Sequence, residues 1–266
     1  MNFVVEATSA LSPRDAASAA RACTRLVLPP PPTQATIAPG ESANASYRST
    51  RQVYESRRLR AVTRSALTGL ILAGGKSSRF GSDKASALLR GRPLLQWVVT
   101  ALEPAVEAFV VVKAAGQDLP PIECGVRVLV VDDEYLAMGP LAGLATGFRA
   151  VITELCFAAA CDSPLLLPAL VEMLASKGAD ADVVIPDVGG FIQPLAAVYR
   201  PAACGPVFEA RINRGELKIV PAFAALRTIV LREEEVRAVD PALRSFRSAN
   251  SPERLAEIEA LLDAGG

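Results

Sequence analysis

Four apolar runs, at residues 68–73, 109–113, 126–131 and 155–160, constrain the fold of this chain more than any other feature. Each has the length of one strand; 109–113 and 126–131 are rich in valine, and in 68–73 and 155–160 apolar residues continue without alternating with polar ones. A strand of that kind buries both faces, which a sheet with one wet side cannot offer. Segments with helical spacing lie between the runs. Leu94, Leu95, Val98 and Leu102 fall on one face within 93–105, and 140–151 begins with a proline suited to a first turn. Residues 166–176, 201–211 and 216–226 read as further helices, and 182–185, 193–199 and 228–231 as later strands. Ser251-Pro252-Glu253 opens a last helix with an N-cap, a proline at the first position and an acid in the first turn. The alternation predicts one α/β domain over 67–266, a three-layer α/β/α, Rossmann-like and mostly parallel sheet covered by helices on both faces.

The composition changes at the start of that domain. Residues 1–66 contain PPPP at 29–32 and nine arginines against four acids, with no lysine. The segment carries +5 and leaves the remainder at −5, since the whole chain is neutral. Such a stretch buries little apolar surface and is expected to be a disordered basic tail. It reads chiefly as a dispensable extension or an upstream start; a transit-peptide-like leader and a basic arm are the other readings. Residues 1–10 lack the basic and apolar regions of a secretory signal, and no apolar run approaches the ~20 residues of a spanning helix.

The chain has no histidine. That removes His-containing triads, imidazole acid–base chemistry and His-ligated metals, so a metal would be held by oxygen and a base would be Asp, Glu, Lys or water. The five cysteines form no C-x-x-C pair, which speaks against a zinc knuckle or redox motif and for reduced thiols in a cytosol. Cys161, beside a motif residue, reads as a small core side chain. Zero net charge gives the whole chain no bias toward nucleic acid.

The first strand ends in LILAGGKSSRFGSDK, residues 70–84. Gly75-Lys76-Ser77 looks like the end of a P-loop, yet the first glycine of that motif would fall at Leu70, and Gly69 is one position out of register. The dinucleotide fingerprint fails as well, because the next glycine after Gly74-Gly75 is Gly81. What remains is a glycine turn at a strand end, then a loop with Lys76, Arg79 and Lys84. Glycines let a backbone approach phosphates, and three cations can neutralise a triphosphate. Asp162, in the Cys161-Asp162-Ser163-Pro164 segment after another buried strand, could hold Mg²⁺ against phosphates or cap a turn. Asp132-Asp133, after 126–131, admits the same two readings, and the choice of carboxylate stays open. Gly139-Pro140-Leu141-Ala142-Gly143 could pack against a flat ligand or make a tight entry to a helix. Gln193-Pro194-Leu195 could line a second-substrate side or begin a strand.

Taken in order, LAGGKSSRFGSDK, VDD, GPLAG, CDSP, QPLAAVY and ANSPERL resemble the molybdenum cofactor guanylyltransferases, the MobA family of the nucleotidyltransferase superfamily, over about residues 67–264. The resemblance implies the nucleotidyltransferase type of sheet and transfer of GMP from GTP to molybdopterin cofactor, giving the guanine dinucleotide form and pyrophosphate. Leu72, Ala73, Gly74 and Gly75 would contact GTP. Lys84 would lie on the phosphates, Arg79 would stabilise their charge, and Asp132 would bind GTP. Asp162 would bind Mg²⁺, and Lys84, Arg79 and Asp162 would form the catalytic set. The family also implies a cytoplasmic protein with GTP and molybdopterin as partners, molybdoenzymes or chaperones beside them, and neither nucleic acid nor membrane. A cytidylyltransferase for the same pterin, a sugar-phosphate nucleotidyltransferase and a non-catalytic nucleotide- or molybdopterin-binding chaperone are the alternatives. The sequence departs from the family pattern at Lys113, where relatives can carry asparagine, and at Ser248, in place of the first asparagine of the C-terminal motif.

Overall fold

The computed structural model describes residues 66–74, 83–135 and 138–264, together with the backbone of 25–27. The expected tail over 1–66 lies outside the described residues apart from 25–27 and 66, and so do Gly75, Lys76 and Arg79.

The sheet is built outward from a central strand, β2 (Leu67–Leu72), which is buried at every position. On one side of β2 lie β5 (Ala108–Lys113) and then β6 (Arg127–Asp132), both parallel to their neighbours. On the other side lies β7 (Leu155–Ala160), also parallel. Farther out come β10 (Ala196–Tyr199), β8 (Val183–Val188) and β11 (Thr228–Leu231). β10 runs antiparallel to both its neighbours, while β11 is parallel to β8. β9 (Phe191–Ile192) turns back on β8, and β1 (Arg25–Val27) pairs in parallel with the outer edge of β6, a strand the composition did not announce. β3 (Leu88–Leu89) and β4 (Arg92–Pro93) form a separate hairpin.

Period-two alternation sorts the central strands onto two cores. Ile71, Phe109 and Val111 pack on the side of α1 (Leu94–Leu102) and α3 (Pro168–Ser176). Leu70, Leu72, Val110 and Val112 pack on the side of α2 (Pro140–Ala150) and α4 (Pro201–Asn213). Both faces are therefore covered, and the three-layer, mostly parallel architecture expected from the apolar runs is the one observed. A third small core, with Leu89, Leu94, Leu165, Ala249 and Ile258, seats the last helix, α6 (Pro252–Ala264), against the β3–β4 hairpin.

Two segments differ from the periodicity reading. Residues 193–199 become strand only from Ala196, because Pro194 cannot donate to a ladder and the preceding residues form a turn. Tyr199, fully buried, donates its hydroxyl to the Pro194 carbonyl at 2.8 Å and fixes that turn; burial raises its pKa well above the ordinary tyrosine value. Residues 216–226 form no α-helix: Pro221 near the start leaves a 3₁₀ turn over Val220–Ala225. A short helix, α5 (Glu233–Arg237), lies in a charged stretch with no apolar period to reveal it.

Candidate active site

Strand order reverses at β2: the chain proceeds from β2 to β5 and β6 on one side, then crosses to β7 on the other. In open α/β sheets the crevice beyond the carboxyl ends of the strands at such a switch point receives ligands. Every candidate site residue among the described ones lies at a carboxyl end of β2, β5, β6 or β7, or in the segments that follow.

The glycine turn follows β2 directly. Ala73 and Gly74 both donate their N–H groups to the Val112 carbonyl, at 2.8 and 3.2 Å, and Gln117 Nε2 donates to the Ala73 carbonyl at 3.0 Å. Gln117 also accepts from the Ala114 N–H at 2.8 Å, so its side-chain amide clamps the turn to the loop after β5. A Cβ on Gly74 would lie 2.8 Å from the Ala114 nitrogen, so only glycine allows the two segments this approach. Gln117 stands in a loop without periodicity, and nothing in the sequence distinguishes it from an ordinary turn residue.

Across the switch point the Cys161 N–H donates to the Leu72 carbonyl at 3.1 Å, extending the β2–β7 pairing to the residue before Asp162. Asp162 is therefore delivered beside the glycine turn. Its carboxylate, 12% exposed, accepts from Lys84 Nζ at 2.9 Å. Lys84 opens a 3₁₀ turn, Lys84–Ser86, capped by the Asp83 side chain, which accepts from the Ala85 N–H at 3.1 Å. The structure thus brings together Lys84 and Asp162, read from separate motifs. Cys161 is buried, as expected of a core residue, and burial and the adjacent Asp162 push its thiol pKa well up, away from thiolate chemistry.

The two neighbouring acids after β6 separate by environment. Asp133 is half-buried and accepts from Thr146 Oγ1 on α2 at 3.0 Å and from the Tyr135 N–H at 3.1 Å. Desolvation is the largest influence on it and raises its pKa above the ordinary aspartate value. Asp132 remains 55% exposed and pairs with Lys113 Nζ at 2.6 Å, the lysine being only 12% exposed. Asp133 is a structural anchor, and Asp132 is the carboxylate left facing outward. The GPLAG segment makes a tight entry to α2. Gly139 has φ +80° and ψ −171°, a conformation reserved for glycine, while Gly143 packs on Leu72 and not on open space.

Behind Asp162, the C-terminal segment closes the site. The Ala249 N–H donates to the Asp162 carbonyl at 2.7 Å. Buried Asp240 accepts from the N–H groups of Arg244 and Ser245, and Ser245 Oγ accepts from the Leu167 N–H at 3.1 Å. A cavity of about 240 Å³ lies in this segment, lined by Arg247, Ser248, Asn250 and Arg254 among others.

A glycine turn and a lysine–carboxylate pair set on opposite sides of a switch point, over a three-layer sheet, define a nucleotidyltransferase. The model of the MobA-like NTP transferase domain matches residues 69–228, and the chain belongs to that family. It is 34% identical over 202 residues to the molybdenum cofactor guanylyltransferase of Desulfosudis oleivorans, covering 75% of this chain and 98% of that one. To the protein of the same description from Cereibacter sphaeroides it is 36% identical over 200 residues, covering 74% and 97%. Among solved structures, molybdopterin-guanine dinucleotide biosynthesis protein A from Archaeoglobus fulgidus superposes with a TM-score of 0.61 at 25% identity, over 74% of this chain and 99% of that one.

Proposed function

We propose that this protein is a molybdenum cofactor guanylyltransferase, transferring GMP from GTP to molybdopterin cofactor with release of pyrophosphate. The observation that carries the reading is the Lys84–Asp162 pair at the switch point, joined to relatives of that description at 34–36% identity over three quarters of the chain. GTP would lie along the carboxyl ends of β2, β5 and β6, its phosphates over the Ala73-Gly74 turn. Lys84, paired with Asp162, would turn to the triphosphate and leave the carboxylate open. The pterin phosphate is already a nucleophile, so a chain without histidine needs no strong base. Its own contribution is position and charge. The cavity beside Ala249 is the proposed seat of the pterin, with Arg247 and Arg254 able to meet its phosphate.

The donor set fits Mg²⁺ in one mode only. Among the described residues no group of three or more Asp, Glu, Cys or His side chains could cage a metal. A single well-shielded carboxylate with triphosphate oxygens beside it is the arrangement Mg²⁺ commonly uses. Asp162 would hold it, and when bound the ion would neutralise phosphate charge and aid the leaving pyrophosphate. No described helix is long and apolar enough to cross a membrane; the proposed cytoplasmic setting rests on the family.

Two measurements test the reading. In a thermal-shift panel of GTP, CTP, ATP and UTP with Mg²⁺, GTP should stabilise the protein most; strongest stabilisation by CTP would overturn the guanylyl assignment. With GTP and molybdopterin, wild type should release pyrophosphate, and Asp162→Asn should lose roughly 100-fold or more of that turnover, the scale of removing one charge-stabilising group. Its thermal midpoint should stay near wild type, because Lys84 is 29% exposed and keeps access to water. GTP binding without pyrophosphate release in wild type would indicate a nucleotide-binding chaperone, and near-normal turnover in the variant would mean that another carboxylate does the work.

A further inference from the structure

We infer that the last helix, α6, couples the two substrate sites: Leu89 and Ile258 are positioning residues that seat Lys84 and Asp162 while α6 is docked, and a ligand in the cavity beside Ala249 holds it docked. The inference rests on the guanylyltransferase reading, which supplies the two ligands.

The third small core is where the segments carrying Lys84 and Asp162 meet α6. Leu89, Leu94, Leu165, Ala249 and Ile258 close it, with Ala87 packed against them. Ala87 follows Lys84 by three residues, donates its N–H to the Lys84 carbonyl at 3.2 Å and accepts from the Leu94 N–H at 2.9 Å. Leu165 follows Asp162 by three residues, and the Ala249 N–H donates to the Asp162 carbonyl at 2.7 Å. Ile258 is the buried contribution of α6 to this core. A polar clasp adds to it at the tip of the β3–β4 hairpin. The Arg90 N–H donates to Glu259 Oε1 at 3.2 Å, and the Arg90 guanidinium pairs with Asp263. Arg90 has φ +50°, a left-handed conformation that an arginine holds only when its surroundings fix it, and the two acids of α6 supply those surroundings.

Little apolar surface secures the helix. Among the described residues of α6 only Ile258 is buried. The clasp lies at exposed side chains, where ion pairs add little. An element held in this way opens at a lower free energy than the fold as a whole. The cavity, by contrast, needs α6 in place: Arg254 and Ile258 line it from the helix, and Arg247 and Ser248 from the segment before it. A ligand that fills the cavity therefore binds the docked state alone. GTP also favours that state, because only there do Ala87 and Leu165 rest on a complete core and hold Lys84 and Asp162 side by side. Two ligands that prefer the same state raise each other's affinity by the same factor.

Calorimetric titration of the full chain with α,β-methylene GTP and Mg²⁺, with and without saturating molybdopterin, tests the coupling; the methylene bridge blocks transfer. In wild type α6 is docked most of the time, so molybdopterin should change the analogue's affinity by less than about twofold. Leu89→Ala opens the third core from the hairpin side, at a residue that lines neither ligand's seat. It should weaken the analogue by about fivefold or more, and molybdopterin should return the affinity to within about twofold of wild type. Leu89→Val, a milder truncation, should show the same pattern at about twofold and carries the test if Leu89→Ala does not fold. Leu174→Ala removes a fully buried side chain of the first core on α3 and serves as the control. It should lower the thermal midpoint yet leave the analogue's affinity within about twofold of wild type, with or without molybdopterin. An affinity unchanged in both Leu89 variants, lowered without recovery on adding molybdopterin, or lowered equally in Leu174→Ala would overturn this inference alone. Wild type that fails to bind the analogue or molybdopterin would overturn the guanylyltransferase reading itself.

Discussion

Gly74 and Asp133 show how much of the site is decided atom by atom. A methyl group at Gly74 would press on the Ala114 backbone at 2.8 Å, and neither segment can yield without breaking the Val112 and Gln117 hydrogen bonds. Gly74→Ala should cost about 1–3 kcal/mol, as overpacking typically does. It should weaken GTP binding beyond what the stability loss explains, read as a thermal midpoint beside a titration. Asp133 gives a pH signature. Its folded pKa is raised by burial, so over the window from the ordinary aspartate value up to that raised value the folded protein holds more protons than the unfolded one. Stability from this group is greatest below the window and declines as pH rises through it. In Asp133→Asn that declining component should be absent from chemical-denaturation curves measured between pH 3 and pH 7. The sequence shows Asp132 and Asp133 as equals. Their division of labour depends on Thr146, thirteen positions downstream, reaching back from α2. By contrast Lys84 and Asp162 stand out in the sequence as candidates, one at a motif end and one past a strand end, although only the family resemblance prefers this carboxylate and only the fold shows the two side chains 2.9 Å apart.

At the scale of elements, α2 owes its fit to small residues. A Cβ on Gly147 would overlap Leu70 Cδ1 and come within 2.9 Å of Cδ2 and 3.1 Å of Val112 Cγ2. Gly147→Ala should lower the thermal midpoint by several degrees, since about 1–3 kcal/mol of overpacking acts on a domain of this size. The displaced helix should carry Thr146 and hence Asp133 with it, so the loop after β6 should lose protection from amide exchange. The continuous apolar strands were the most legible elements, because two-sided burial leaves a composition that no surface segment shares. The direction of β10 was not legible. Its apolar run would suit either orientation, and the antiparallel choice follows from the β8–β9 hairpin and the Tyr199 hydroxyl holding Pro194. Residues 216–226 misled because their apolar spacing is helical while Pro221 prevents the helix.

For the whole molecule, the family match falls within the domain beginning near Leu67, at residues 69–228. A chain starting at Ala66 should keep wild-type GTP affinity and pyrophosphate release; a large loss of either would give residues 1–65 a part in the site. The three-layer architecture was readable in advance because helices and strands alternate throughout. The closure of the site behind Asp162 was not, because it depends on Asp240, Ser245 and Ala249, in a segment with little periodicity.

The meeting of Lys84 with Asp162 spans 78 positions, and it crosses the central β2–β7 seam. During synthesis β2, β5 and β6 leave the ribosome first, and β2 waits with one edge bare until β7 follows. Pairing across so long a loop is slow, and an unpaired central strand is the exposed surface from which misassembly starts. Nucleotide has no complete seat before that seam closes, so it acts as a ligand of the finished fold only. Added during refolding, GTP should leave the rate of sheet formation unchanged while raising the final yield, by holding the last-formed contact against reopening.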